Sequence, residues 1–180
     1  AIAWGVFGVA AHEFDRDGTL IYRVGMIRLQ LDGLSLFASS TILILGTLTV
    51  IYSLDYMSKE STADKYYTLV LLMRGTMMGL VCTRDLFNVW VWFEAMAISA
   101  SFLVAFYREQ SASLEAGVKY IVQSAVGSAF ILLGIALVLA ETGTLDLQEI
   151  AHLHQRSVVL GAAGGLFIAG FGVKMALVPF

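Results

Sequence analysis

Four ionisable residues stand in stretches whose apolar character should exclude them: Arg74, Glu94, Lys119 and Lys174. Glu94 is the clearest case, because it interrupts the run LFNVWVWFEAMAISASFLVAF, Leu86 to Phe106, near its middle. About 20 apolar residues rising 1.5 Å each cross the roughly 30 Å hydrocarbon core of a bilayer, so the run is long enough to span one. A carboxylate at that depth costs several kcal/mol unless it is protonated, paired or hydrated, and intramembrane acids therefore mark ion or proton routes. The plainer alternative is a protonated glutamate that ties two helices together by a hydrogen bond.

Lys174 lies deep in the last apolar run, shortly before Pro179. A proline there removes a backbone hydrogen bond and clashes with the preceding turn. Broken helices in membranes leave carbonyls that bind ions or water where they line a cavity. A lysine and a glutamate sharing one wet interior can exchange charge state as their separation changes, which a proton relay requires. Lys119, with Gln123 and Ser124 one turn on, either joins that route or snorkels to the interface. Arg74 is a candidate ion-pair partner of Glu94: residues equally far before and after a turn near residue 84 reach one depth, about 15 Å from it. Opposite charges there reduce each other's burial cost, unless Arg74 faces another helix or subunit. Counted from a shared starting level, Glu94 lies about 12 Å and Lys174 about 24 Å from one side, with Lys119 about 6 Å from the other. The groups are thus expected to be staggered across the membrane.

The elements that must position these residues follow from the spacing of charge-free runs, and the fold class is all-α integral membrane. Complete spans are expected at Gly33–Leu54, Tyr66–Cys82, Leu86–Phe106, Glu115–Ala140 and Val158–Phe180, after half a span at Ala1–Ala11. In the polar stretch from His12 to Asp32, Asp15-Arg16-Asp17-Gly18 opens like a calcium loop but lacks the later ligands, and a turn is expected. Partial alternation from Leu20 to Leu31, broken at Gly25, predicts a small β-hairpin outside the membrane between residues 18 and 32. Residues 1–32 thus form a lead-in, and residues 33–180 the transmembrane bundle. Thr142-Gly143-Thr144 reads as a stop and turn, and Gly161, Gly165 and Ala169 have the small-residue spacing that lets helices approach closely. Six of the tyrosines fall near span ends, as interfacial aromatics do. The chain opens and closes inside apolar runs and is expected to be part of a longer membrane subunit.

Composition agrees: 58% hydrophobic residues and 14% charged are membrane values, not those of a soluble domain. The single Cys82 excludes an intramolecular disulfide framework. No basic stripe interleaved with aromatics suits nucleic acid. Neither a dinucleotide fingerprint nor a haem or iron–sulfur cysteine set is present, so no redox chemistry, cofactor, metal site or catalytic set is expected in this chain. Its partners are expected to be the lipid bilayer and other membrane subunits. The positive residues of the two loop sets do not decide orientation.

Several stretches resemble one family. DLFNVWVWFE around Glu94, YSLDYM from Tyr52 to Met57, GVKYIVQSAVGSAFILLGIALVLAETGTLDL and the closing GFGVKMALVPF are similar to the antiporter-like membrane subunits of respiratory complex I, membrane hydrogenases and Mrp cation/proton antiporters. The resemblance runs from about Gly33 to Phe180. It implies that Glu94 is the pumping glutamate and Lys174 its partner on a discontinuous helix, within the lead-in helices and most of the first of two inverted five-helix repeats. It also implies that the loops Asp55–Lys65 and Tyr107–Leu114 are cytoplasmic. Arg74 departs from the family, where an apolar residue is expected. The function implied is a proton-translocating subunit of a redox-driven, NADH:quinone oxidoreductase-like pump in a bacterial or archaeal plasma membrane, or an organellar inner membrane. The alternatives are an Mrp-type sodium/proton antiporter subunit and a structural membrane subunit that does not conduct.

Overall fold

The computed structural model describes residues 2–24, 27–153 and 157–177. The chain divides into two compact units, Ala1–Thr83 and Arg84–Phe180. In the first, α1 runs from Ile2 to Asp17, so the polar residues after Ala11 extend the helix instead of forming the expected loop. Gly18, at φ 75°, then makes the turn that a side chain would strain. Strands β1 (Leu20–Val24) and β2 (Ile27–Leu31) pair antiparallel, with Leu20 opposite Leu31 and Val24 opposite Ile27. This is the expected hairpin; its expected break at Gly25 lies outside the described residues. Asp32 then caps α2 (Gly33–Met57), accepting from the Ser35 N–H at 2.8 Å while its own N–H donates to Ser35 Oγ. Helix α3 (Ala63–Cys82) packs on α2, and β2 touches both.

The second unit holds α4 (Leu86–Val104), α5 (Ser111–Thr142), α6 (Leu147–His152) and α7 (Val158–Lys174). Gly143, at φ 71°, ends α5 in the left-handed conformation, so the expected stop at Thr142-Gly143-Thr144 is present. The short helix α6 falls between the expected spans Glu115–Ala140 and Val158–Phe180. Helix α5 packs against both α4 and α7. The α5–α7 contact is close: a Cβ at Gly170 would stand 2.7 Å from the Gly127 carbonyl oxygen, and one at Gly134 would stand 2.8 Å from the Phe167 ring. The small residues expected to pack are a different set, since Gly161 and Gly165 have nothing within 4 Å of where a Cβ would be.

Helix α7 ends at Lys174, short of the Phe180 expected from the sequence. The Ala176 N–H donates to the Val173 carbonyl at 3.1 Å and the Leu177 N–H to the Gly172 carbonyl at 2.9 Å. Those two bonds make a Schellman ending, with Ala176 at φ 53° where glycine is usual. The break expected at Pro179 lies outside the described residues.

Small hydroxyl residues share the buried positions, and many large apolar ones face outward. Ser35, Ser39, Ser53, Thr76, Ser99, Ser101, Ser124 and Ser128 are buried, while Leu34, Phe37, Leu45, Leu48, Phe102 and Ile168 are exposed. Lipid tails are as apolar as leucine, so membrane helices pack through small residues and turn large ones outward. Three helices, α2, α4 and α5, are long and apolar enough to cross a membrane; α7 is apolar but has 17 residues. The protein is an integral membrane protein, mostly helical, with one small two-stranded sheet.

Candidate functional site

The second unit brings Glu94, Ser124, Ser128 and Lys174 together. Of ionisable side chains, helix α4 brings only Glu94, and α7 only Lys174. The buried stripe of α5 includes Ser124, Gly127, Ser128, Ile131, Gly134, Ile135 and Val138, whose spacings of three and four keep them on one face. Gly127 and Gly134 admit α7 closely, and the two serines on the same face meet the charges.

Lys174 Nζ donates to Glu94 Oε1 at 3.0 Å and to Ser124 Oγ at 3.1 Å. Ser128 Oγ–H donates to the same Glu94 Oε1. The lysine side chain is 6% exposed and the carboxylate 29%, so the cation is the more enclosed partner. Its ammonium also lies 5.8 Å from the centroid of the Phe93 ring, within cation–π range. Phe93 in turn packs on Phe171 of α7, with ring centroids 5.5 Å apart. Two opposite charges, two hydroxyls and an aromatic face therefore enclose one polar contact inside an apolar bundle. Charge-assisted bonds of this kind are stronger than neutral ones, and removing either partner leaves the other uncompensated.

The expected staggering of Glu94 and Lys174 does not hold, because the two side chains touch. The count assumed that α4 and α7 start at one level. Glu94 lies two turns into α4 and Lys174 at the end of α7, so offset, tilt and the lysine's reach take up roughly 10 Å. Lys119 is not brought to this contact: it pairs with Glu115 one turn away on α5, both side chains mostly exposed. Arg74 belongs to the first unit, where its Nη2–H donates to the Leu43 carbonyl at 3.4 Å. Its guanidinium occupies the space that a side chain at Gly46 would need.

A second polar contact fixes the start of α4. Arg84 Nε donates to Asp146 Oδ2 at 2.9 Å, the Leu86 N–H to the Leu145 carbonyl and the Leu147 N–H to the Arg84 carbonyl, both at 3.0 Å. Asp146 also caps α6 through the N–H groups of Gln148 and Glu149. Burial works against ionisation of Asp146, but the Glu149 N–H, the Arg84 guanidinium and the Gln148 N–H outweigh it and hold the carboxyl below its usual range. Sequence reasoning assigned no role to Ser128, Arg84 or Asp146. The recurrence of serine at four-residue spacing on α5 was the available signal for the hydroxyls; nothing in the sequence joins residue 84 to residue 146. Among the described residues, the indole N–H groups of Trp90 and Trp92 are buried without a hydrogen-bond partner.

Comparison with known proteins gives the lineage. The transmembrane family described as NADH:quinone oxidoreductase/Mrp antiporter matches residues 83–180, and the N-terminal family of NADH-ubiquinone oxidoreductase (complex I) chain 5 matches residues 25–67. NADH-quinone oxidoreductase subunit N 2 of Roseiflexus castenholzii is 33% identical over 100% of the chain and 36% of its own length. Na(+)/H(+) antiporter subunit A1 of Staphylococcus haemolyticus is also 33% identical, over 84% of the chain and 19% of its own length. Among solved structures, a chain of the membrane-bound sulfane sulfur reductase, an archaeal respiratory membrane complex, superposes with a TM-score of 0.81 at 28% identity, covering 99% of this chain and 39% of that one. The chain thus spans about a third or less of the length of these relatives.

Proposed function

The chain belongs to the NADH:quinone oxidoreductase/Mrp antiporter transmembrane family, and from that premise we propose that it is the proton-relaying part of a membrane subunit in a complex I-like, redox-driven pump. The observation that carries the reading is the buried contact of Lys174 Nζ with Glu94 Oε1 at 3.0 Å. Both ends of that contact exchange protons in their ordinary chemistry. Transfer of one proton from the ammonium to the carboxylate neutralises both groups and removes the attraction that holds them together. A movement that then separates them leaves each neutral, the form burial favours, until Lys174 takes a proton from a donor on one side and Glu94 releases its own to an acceptor on the other. Coupling a conformational change to proton movement needs only that reciprocity. Lys119, exposed beside Glu115, is the proposed link from the relay to the membrane surface.

On this reading α3 and the segment beginning with α7 also cross the bilayer, giving five complete spans and part of a sixth. Residues 1–32 form a lead-in to the conducting core at residues 33–180. The partners are other membrane subunits, the redox groups are theirs, and the membrane is a bacterial or archaeal plasma membrane.

The test is Glu94→Gln in the full-length protein, with NADH-driven acidification of membrane vesicles measured beside electron transfer. The expected result is an assembled complex that has lost most of its proton transport. Normal proton-to-electron stoichiometry in the assembled variant would overturn the relay. Sodium-dependent proton exchange without an electron donor would move the assignment to the antiporters.

A further inference from the structure

Serine and threonine hydroxyls inside helices ordinarily donate back to a carbonyl of their own helix. Ser53, Thr76, Ser99 and Ser101 all do so here. Ser124 and Ser128 meet side chains of the neighbouring helices instead. The Ser128 hydroxyl donates to Glu94 Oε1, and the Ser124 oxygen accepts from Lys174 Nζ at 3.1 Å. Both serines are buried, 9% and 6% exposed, and stand four residues apart on the face of α5 that meets α4 and α7.

We propose that Ser124 and Ser128 are positioning residues that keep Glu94 and Lys174 in register through both charge states of the pair. The inference rests on the relay reading and adds to it the groups that hold its geometry. A hydroxyl is one donor and two acceptor positions, so it can serve a partner on either side of a proton transfer. While Glu94 is ionised, Ser128 donates to it; once Glu94 holds the proton, the Ser128 oxygen accepts from the carboxyl O–H. While Lys174 is an ammonium, Ser124 accepts from it; once the proton has left, the Ser124 hydroxyl turns and donates to the amine lone pair. One proton moves from Nζ to Oε1, and each serine keeps its own. A backbone carbonyl could not replace either hydroxyl, because it has no proton to offer.

The ionisable groups around the pair are few. Helix α4 contributes Glu94 alone and α7 Lys174 alone; α5 carries Glu115 and Lys119, which pair with each other, an exposed Tyr120, and Glu141 near its far end. A change at either serine is therefore read through Glu94 and Lys174.

The test compares Ser128→Thr with Ser128→Val, and Ser124→Thr with Ser124→Val, in the assembled full-length protein. The members of each pair match in shape and differ by one hydroxyl. Proton pumping is measured together with the carboxyl band that pH-difference infrared spectroscopy shows and Glu94→Gln abolishes. The threonine variants are expected to keep pumping and, at Ser128, the band position. Ser128→Val is expected to move the Glu94 band to higher wavenumber, as loss of a hydrogen bond does, and each valine variant to lose about tenfold in pumping. A Ser128→Val protein with an unmoved band, or valine variants that pump within about twofold of their threonine counterparts, would overturn the proposal. If Glu94→Gln itself pumps normally, the relay falls first; if only the serine variants are silent, the relay stands and the positioning role is gone.

Discussion

Lys174 meets Glu94 from 80 residues away, with Nζ 3.0 Å from Oε1, and does so from the last residue of its helix. That location has electrostatic content. The final carbonyls of a helix and its dipole place partial negative charge near the C-terminus, which favours a cation there. Lys174 is held by a carboxylate, a hydroxyl, an aromatic face and the helix end together. The protein arranges for the lysine to be held firmly while charged.

A relay lysine must also give its proton up. Arginine fits a similar space and keeps an ion pair, yet stays charged at any accessible pH. Lys174→Arg is therefore expected to assemble well and to pump about a hundredfold less, the scale of a lost acid–base step. Lys174→Ala should pump as poorly. If Lys174→Arg pumps like the wild type in vesicle acidification, the lysine is a fixed counter-charge and the proton passes elsewhere, Lys119 being next in line.

The Arg84–Asp146 contact predicts where acid begins to loosen the structure. Asp146 is held below the usual carboxylate range, and so is Asp32, chiefly by the N–H and hydroxyl of Ser35. A depressed carboxyl contributes stability that is fully present above its unfolded value and is lost as pH falls through the folded one. Thermal unfolding of the detergent-solubilised protein should therefore be insensitive to these two groups at neutral pH and should weaken only below about pH 4. Asp146→Asn should flatten part of that fall and cost about 2 kcal/mol above it, from the lost ion pair and the weakened cap.

The α5–α7 contact predicts an asymmetry among glycines. A Cβ at Gly170 would stand 2.6 Å from Ile131 Cγ1 and 2.7 Å from the Gly127 oxygen, both on α5. Gly170→Ala should destabilise by about 2 kcal/mol through overpacking and should also impair pumping, because it moves the helix that carries Lys174. Gly161→Ala, with nothing within 4 Å of its Cβ position in the chain, should be tolerated. Thermal melting of the two variants side by side checks the difference.

Much of this was legible from the sequence and some was not, for physical reasons. Alternation across Leu20–Leu31 announced the hairpin, since a period of two has few other readings. Glu94 and Lys174 were legible as charges in apolar runs, because the energetic penalty is local. Their contact was not, because counting residues gives depth only if helix starts share a level, and it leaves out tilt and the reach of the side chains. The end of α7 was also hidden: Ala176 takes a left-handed conformation that glycine normally announces. Ser124 and Ser128 look like any other helix serines until their oxygens are seen to meet Lys174 and Glu94.

Ala176 itself yields a clean test. An L-residue at φ 53° bears strain that glycine does not. Ala176→Gly should raise stability by about 1 kcal/mol, seen as a higher melting temperature, if the helix ends at Lys174 as described. A lower melting temperature would show that the chain passes through this point in another conformation.

Helix α5 runs 32 residues, from Ser111 to Thr142. At 1.5 Å per residue that is about 48 Å, against a hydrocarbon core of roughly 30 Å. It must lean, or carry its first turns, with the Glu115–Lys119 pair, out among the headgroups. Because α7 is locked onto α5 at Gly127 and Gly170, the two incline together. The thickness of the surrounding lipid thereby becomes a mechanical input to the serine face that both charges rest on, and a thinner bilayer presses on the Glu94–Lys174 contact without any ligand.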